Sequence, residues 1–508
     1  MTNKKKIAGW IAAPLALTLA LAGCTAIDSA AGSASGTTAT SPAAVVQTAS
    51  TGSAQEILDE NQTPHDEDDV ADAGTETAIA LTGSSITLTE GGTYRLSGTI
   101  TDGAVTVDTE AAITLILDGV TITNSTGAAI EILAADEAVI VVEGDDNSLS
   151  DTSSYADGAD VNAALFSAAD LTLTGTGTLR ITGNANDALA SKDGLVIDGP
   201  TLIVDAVDDG IRGKDYVVIR SGEITVTSGG DGIKADNDTE AERGYIALLG
   251  GTVTVTAGGD GLDAATDIVT TAGTLTVTAG GGHEVTASEA TSTKGVKAGV
   301  IIAIDGGEIT ADAADDALHS DGDLLVAAGT VTAASGDDGL HAEGGIRITG
   351  GAIDVTSSYE GIEALTIHLS DGTVNVVASD DGLNAANGTG NGAPGIVTEG
   401  ALIDISGGTL TIDAGGDGID SNGDIVISGG VITFLGTAGR GDSAIDYDGT
   451  YTNTGGELNL PEGEEIAGAP GMGGGQGAFP GGGQAPEGGF GGRGQRPQQD
   501  TEDGAQTP

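Results

Sequence analysis

The residues best suited to chemistry in this sequence are carboxylates that return within one short motif. The motif reads D-G-[IL]-x-[AS], and its first position falls at Asp187, Asp209 and Asp231, each 22 residues after the last. Further copies continue to Ser443, several at the same step and others after longer insertions. Carboxylates repeated in this way supply hard oxygen ligands, of which calcium takes about six to eight.

We therefore predict metal ligands among the motif aspartates, the acids that precede them, and the acids two positions beyond the variable residue. The predicted ligands are Asp208, Asp209, Asp231, Asp236, Asp315, Asp316, Asp321, Asp337, Asp338 and Glu343. Carboxylates stacked on neighbouring repeats repel one another unless a cation lies between them, and calcium is the expected cation. Asp-Gly is also ordinary turn chemistry, so a structural role stays open for any single aspartate.

Basic residues form a second candidate set at and near the variable motif position. Arg212, Lys214 and Lys234 lie among the aspartates and are predicted to bind an acidic sugar, unless they merely balance local repulsion. His319 and His341 are one repeat apart and form a weaker candidate for a shared transition metal. Pairing with neighbouring aspartates is the more common role for such histidines.

The elements that position these residues are short strands. In TVTVTA, Val253 and Val255 alternate with threonines, which is the period of a half-buried strand. Three such strands per 22 residues, separated by glycine turns, predict an all-β fold: a single-stranded right-handed parallel β-helix of about 22 residues per coil. A β-propeller is disfavoured because its blades need about 40 residues.

The third motif position is aliphatic in every copy, and we expect it to form a ladder that points into the core. Its members are Leu189, Ile211, Ile233, Leu262, Val296, Leu318, Leu340, Ile362, Leu383, Ile419 and Ile445.

Charge restricts the partners of the protein. The 508 residues contain 17 basic and 76 acidic side chains, for a net charge of −59. Nucleic acid and anionic lipid headgroups are therefore poor direct partners, whereas divalent cations are favourable ones. A solvated acidic surface that serves solubility is the simpler alternative.

The N-terminus has the layout of a secretory signal. Lys4, Lys5 and Lys6 precede an apolar run that ends in Leu21-Ala22-Gly23-Cys24, and Cys24 is the single cysteine of the chain. This ending resembles the bacterial lipobox, whose cysteine is acylated. We therefore expect a lipid anchor on Cys24, with the protein on the extracellular face of the cell membrane.

Composition divides the chain into four segments. We predict a lipoprotein signal peptide at 1–23, a flexible Ser/Thr/Ala-rich and acidic tether at 24–73, the β-helix domain at 74–460 and a disordered Gly/Pro/Gln-rich tail at 461–508. We expect the domain to be a monomer.

Several runs of the sequence resemble a known family. In order, GGTYRLSGTITDGAVTV, LILDGVTIT, EGDDNSLSD, ALFSAADLTLTGTGTL, VDDGIRGKD and GGDGIKAD are similar to the bacterial carbohydrate-binding β-helix lipoproteins, which are related in fold to calcium-dependent pectate lyases. The resemblance covers roughly Ala78 to Leu458. It implies a right-handed β-helix that binds calcium and extracellular polysaccharide, including acidic, pectin-like glycans, without established catalysis.

Two alternatives remain open. A pectate-type lyase would use Lys234, Lys214 or Arg212 as the base that removes the proton next to a uronate carboxyl group. Surrounding carboxylates raise the pKa of a lysine and so disfavour an unprotonated base. A non-catalytic surface adhesin or structural solenoid is the other alternative.

Overall fold

The computed structural model describes residues 52–65, 76–156, 158–288, 290–387, 397–437, 443–462 and 466. The predictions on the signal peptide and on Cys24, and those on most of the tether and the tail, lie outside the described residues. Within the described ranges, no helix is both long enough and apolar enough to cross a membrane.

The described part of the chain contains one helix, α1 (Ala54–Glu60), and 38 β-strands, which fall into three stacks by their pairing. Stack A holds β1 (Thr77–Thr82), β3 (Gly92–Ile100), β5 (Ile113–Thr123), β7 (Ala138–Glu143), β10 (Leu171–Gly175), β13 (Gly194–Ala206), β15 (Tyr216–Ser228), β17 (Tyr245–Leu248), β20 (Asp267–Thr270), β23 (Ile301–Ala313), β25 (Asp323–Ser335), β26 (Leu340–Ile348), β28 (Ile362–Leu369), β31 (Leu402–Ile405), β34 (Asp424–Ile427) and β37 (Tyr451–Asn453). Stack B holds the C-terminal parts of β3, β5, β13, β15, β23 and β25 together with β8 (Asn147–Ser150), β11 (Thr178–Gly183), β18 (Thr252–Ala257), β21 (Thr274–Ala279), β27 (Ala352–Ser357), β29 (Thr373–Ala378), β32 (Thr409–Ala414), β35 (Val431–Thr437) and β38 (Glu457–Asn459). Stack C holds the N-terminal parts of β26 and β28 together with β2 (Ile86–Leu88), β4 (Val105–Asp108), β6 (Ile130–Ala134), β9 (Ala163–Ser167), β12 (Asp187–Ser191), β14 (Ile211–Gly213), β16 (Ile233–Ala235), β19 (Leu262–Ala264), β22 (Val296–Ala298), β24 (Leu318–Ser320), β30 (Leu383–Ala385), β33 (Ile419–Ser421) and β36 (Ile445–Tyr447).

The strands within each stack pair in parallel with the equivalent strand of the next layer, where a layer is one succession of A, B and C segments such as residues 216–235. In stack C, Ile211 pairs with Ile233, and Ile233 pairs with Leu262. The insertions seen in the sequence lengthen some layers without changing this register. The all-β class and the parallel strands are therefore as predicted.

Alternation along the strands places the core between the three stacks. In β18, Val253 and Val255 are buried while the intervening threonines are exposed. Every member of the predicted aliphatic ladder is at most 2% exposed, so its inward orientation is confirmed. Because each motif residue keeps its place from layer to layer, the polar residues beside the ladder form columns along the edge of stack C.

The segment 52–65, which we call the N-terminal strap, departs from the expected flexible tether at 24–73. Helix α1 buries Ala54 and Ile57 against outward-facing residues of stack A such as Val269 and Ala303. Ser53 begins the helix, because its side chain and that of Glu56 cap each other's backbone N–H groups. The tether prediction is therefore wrong for these residues, since composition concealed a helix that packing stabilises.

The end of the strap is fixed by side-chain hydrogen bonds. Asn61 Nδ2 donates to Asp267 Oδ2 at 2.9 Å, and the hydroxyl of Tyr245 donates to the carbonyl oxygen of Gln62 at 2.7 Å. The ring nitrogens of His65 lie 2.8 Å from the hydroxyl of Tyr216 and 2.7 Å from that of Thr172. The strap thus lies along the outer face of stack A across several layers.

Candidate functional site

In several layers the first motif residue is an aspartate that lies just before the stack C strand and connects two layers. Asp209 Oδ1 accepts a hydrogen bond from the backbone N–H of Asp231 at 2.8 Å, and Asp231 Oδ1 accepts one from Asp260 at 2.8 Å. The same contact recurs with Asp260, Asp316, Asp381 and Asp417 as acceptors. One oxygen of each of these six carboxylates is therefore used in the fold, which explains an aspartate at these positions independently of any metal.

In the earlier layers, the second carboxylate oxygen faces a lysine. Lys234 Nζ lies 2.5 Å from Asp231 Oδ2 and also approaches Asp209 and Asp263, at 3.8 and 3.5 Å. Burial opposes the charge of Lys234, yet the hydrogen bond to Asp231 and the two further carboxylates raise its pKa above the usual value. Lys234 is thus held protonated within the protein.

The densest predicted metal set, around Asp315 and Asp316, is also occupied by cationic groups. The Lys294 ammonium lies 2.6 Å from Asp315 Oδ2 and 3.2 Å from Asp316 Oδ2. His319 lies between Asp316 and Asp321, with its Nδ1 at 2.8 Å and its Nε2 at 3.0 Å from their carboxylates. Asp315, Asp316 and Asp337 do come together as predicted, but Lys294 and His319 already compensate part of this charge.

The ion pairs shift the pKa values of His319 and Asp316. Burial lowers the pKa of His319, but the hydrogen bonds to Asp316 and Asp321 outweigh it and raise that pKa to about 9. Burial opposes ionisation of Asp316, yet His319 and the charge of Lys294 hold the pKa of Asp316 below its usual value. These groups are therefore ion pairs at neutral pH.

Beyond His341, the column loses its positive residues. His341 Nδ1 lies 2.8 Å from Asp338 Oδ2, and its ring centroid lies 4.8 Å from that of His319. In the register of stack C, His341 lies opposite Glu363 of the next layer, and Glu363 lies opposite Asn384 of the layer after it. The change from basic to acidic side chains occurs within one layer.

We call Asp338, Glu360, Glu363, Asp381 and Asn384 the acidic segment. Among the described residues, no lysine or arginine forms an ion pair with its four carboxylates. Burial and neighbouring carboxylates raise the pKa of Asp338 and of Glu360 well above the usual values, and burial together with Asp420 raises that of Asp381 to about 8. A cation bound here would relieve this repulsion.

Two buried oxygens of the acidic segment have no hydrogen-bond partner in the part of the chain that the structure describes. Asp338 is fully buried, and its Oδ1 has no hydrogen-bond partner; the same holds for Oδ1 of Asn384, which is 8% exposed. Candidate ligand atoms of Asp338, His341 and Glu363 lie within 4.8 Å of one another. Buried acceptors without donors carry a desolvation cost. The carboxylate and amide oxygens of this segment are ligands of the kind that a hard cation such as calcium takes, whereas the imidazole nitrogen of His341 is not.

The remaining predicted ligands are distributed along the edge. Asp208 and Glu343 are exposed, and Glu343 Oε1 lies 3.8 Å from His341 Nε2. Asp236 is bound by the guanidinium of Arg212. The predicted metal set left out Glu360, Glu363, Asp381 and Asn384. The loss of basic residues at the variable motif position after His341 was the sequence signal that could have drawn attention to them.

The stacked parallel strands and the charged column beside them define a class of repetitive β-protein with an extended polar edge. A family model described as "Carbohydrate-binding domain-containing protein" matches residues 82–339 and 337–459. The chain belongs to this carbohydrate-binding domain family.

Two proteins illustrate the similarity. A carbohydrate-binding domain-containing protein of Acetivibrio thermocellus is 33% identical over 215 residues, which cover 41% of this chain and 66% of that relative. A polysaccharide lyase-like protein from C. thermocellum, solved as a gadolinium derivative, is 30% identical, with a TM-score of 0.38 over 41% of this chain and 91% of that one.

Proposed function

We propose that the protein is a cell-surface lipoprotein that binds an acidic, pectin-like polysaccharide through a calcium-dependent, right-handed parallel β-helix. Family membership supports polysaccharide binding. The calcium, the acidity of the glycan, the winding of the chain and the lipid anchor are the parts that we add.

The winding is inferred from the connections between strands. Each segment of stack A, B or C pairs in parallel with its equivalent one layer later, so the chain returns to the same stack after each layer. Parallel strands joined by such crossovers are right-handed in about 98% of known cases. A right-handed β-helix is the simplest path that satisfies all three stacks.

Calcium binding is supported mainly by the acidic segment, and above all by Asp338. This residue is fully buried, and one of its oxygens has no hydrogen-bond partner. Glu363 and Asn384 lie in the following layers of the same column and would supply further oxygens. Asp337 and the other predicted aspartates remain secondary candidates, since lysines or histidines neutralise several of them.

An acidic glycan is favoured by the arrangement of charge. Basic residues from Arg212 to His341 and the acidic segment lie on one continuous edge of stack C. A bound cation would convert the acidic segment into a second site for uronate carboxylates, because calcium accepts oxygens from protein and sugar together.

Binding without cleavage is favoured over the lyase alternative. The base of a lyase must be able to lose a proton, but Lys234 and Arg212 both have pKa values above the usual range. In each case burial is outweighed by hydrogen-bonded carboxylates. The anchor and the location at the outer face of the membrane rest on the lipobox ending at Cys24.

A glycan array on the full-length protein tests this proposal, with calcium in one arm and a chelator in the other. We expect binding to uronate-rich glycans in calcium, with strong loss in chelator and no products. Unsaturated products that absorb ultraviolet light would instead establish a lyase. Absence of glycan binding in both arms would favour the adhesin alternative.

A further inference from the structure

Three basic residues occupy neighbouring positions at the beginning of the charged edge. Lys192 and Lys214 directly follow β12 and β14, and the residues before them, Ser191 and Gly213, are paired partners. Arg212 lies two residues before Lys214. Asp236, which takes the position of Lys214 in the next layer, bonds to Arg212, so a side chain at this motif position can reach the arginine. The three cations therefore lie in two adjacent layers, whose strands are about 4.8 Å apart.

Among the described residues, two of these cations have no carboxylate at ion-pair distance. Neither Lys192 nor Lys214 forms an ion pair with any residue that the structure describes; Lys192 instead places Nζ 5.9 Å from the centroid of the Phe166 ring. The lysines of later layers, in contrast, are each bound by at least one carboxylate. Lys192 does lie near Asp187 and Asp236, whose charges act on it without direct contact. Lysines without a direct ion pair are unexpected in a chain of net charge −59.

Arg212 is oriented by two carboxylates beside it. Its NH2 group bonds to Asp236, and NH1 lies 3.7 Å from Asp187 Oδ2. Burial, together with the charge of Arg212, lowers the pKa of Lys192, so the two cations repel each other. Burial and the charge of Asp209 raise the pKa of Asp187 to about 7, so this nearby carboxyl carries reduced negative charge at neutral pH.

We propose that Lys192, Arg212 and Lys214 form a binding site for the carboxylate of a uronic acid residue. A planar guanidinium with two mobile ammonium groups suits an anion with two oxygens. The site differs from the sequence prediction, because three carboxylates surround the single ammonium group of Lys234. Among the described residues, Arg212 uses only NH2 in a hydrogen bond, and Lys192 takes the place of Lys234. The inference rests on the proposed function and names one of its subsites, which does not require calcium.

The test is isothermal titration of the full-length protein with an oligogalacturonate and with its methyl ester, which has the same sugar rings without the charge. The double variant Lys192→Gln, Lys214→Gln should weaken binding of the acidic oligomer by roughly tenfold or more, since charge-assisted hydrogen bonds are lost. Binding of the ester should be unchanged, and Lys192→Arg with Lys214→Arg should retain most of the affinity for the acid.

Arg180→Gln is the matched control, because it removes an exposed positive charge from β11 in stack B. It should leave both affinities unchanged. Wild-type affinity in a folded double glutamine variant, or an equal loss in Arg180→Gln, would overturn the subsite while leaving the proposed function intact. If the unsubstituted protein binds neither oligomer, the proposed function itself fails, a result seen before any substitution is made.

Discussion

Asp338 and His341 are joined by one short contact, 2.8 Å from Oδ2 to Nδ1, while Oδ1 of the same buried carboxylate has no hydrogen-bond partner among the described residues. The contact lies where the carboxylates along the edge of stack C cease to be paired with lysines or histidines of the described chain. Before it, lysines and histidines face the aspartates; after it, carboxylates face each other.

The substitution Asp338→Asn should therefore have opposite effects with and without calcium. In chelator the variant should melt above the wild type, because a buried carboxylate with a raised pKa has been removed. In calcium the order should reverse. A cation that binds the folded state alone adds about 2.7 kcal/mol at a hundredfold excess over its dissociation constant, and the variant loses much of that gain.

Thermal melts at matched ionic strength measure this effect, with sodium chloride as the control for screening. Asp371→Asn, at an exposed aspartate outside the acidic segment, should respond to calcium as the wild type does. If sodium chloride reproduces the whole calcium effect, the carboxylate columns are solvated turns and bind no specific cation.

The inward ladder gives a prediction on stability. Leu340→Asn places an amide in the core, which should cost on the order of 1–3 kcal/mol for its unpaired groups, in addition to lost packing. Thr254→Asn, on the exposed side of β18, should change the free energy of unfolding by less than about 0.5 kcal/mol. Denaturant titration separates the two, and equal losses would contradict the inward assignment.

The strap predicts a pH dependence through Asp267. Burial raises the pKa of Asp267 to about 6 from 3.8, with the hydrogen bond from Asn61 acting against the shift. Between these values the folded state binds more protons than the unfolded state, so this group makes stability fall as pH rises from about 4 to 6. Its contribution is about 3 kcal/mol at most.

Asp267→Asn should remove this contribution, so that the variant gains stability relative to the wild type on going from pH 4 to pH 7. Melting curves of both proteins across this range provide the measurement. Because many carboxylates titrate together in so acidic a chain, the difference between the two proteins is the relevant quantity. Parallel pH profiles would show that Asp267 is not the source.

Cell fractionation tests the predicted anchor. Cys24→Ser removes the thiol that would be acylated, so the protein should be released into the medium or remain unprocessed. A variant that stays with the membrane and is cleaved at the same position would contradict the lipobox interpretation.

The sequence predicted the aliphatic ladder well, because a buried position repeats its chemistry in every layer, from Leu189 to Ile445. It raised the pairing of His319 and His341 with aspartates, which the structure shows, but it did not indicate which lysine meets which carboxylate. Whether Lys294 lies against Asp315 depends on the conformation that its long side chain adopts across the layers, and the spacing of the motif does not determine that conformation. Helix α1 was missed for a related reason: a seven-residue helix exists because Val269 and Ala303 cover its apolar face, and those contacts are distant in sequence.

The most direct measurement of the central claim is the affinity of the full-length protein for an oligogalacturonate, determined by titration in calcium and in chelator, with Asp338→Asn alongside. We predict that binding weakens by roughly tenfold or more in chelator and that the variant in calcium falls between the two wild-type values, as expected when a cation ligand is lost. Equal wild-type affinity in calcium and in chelator would contradict calcium-dependent binding of an acidic polysaccharide.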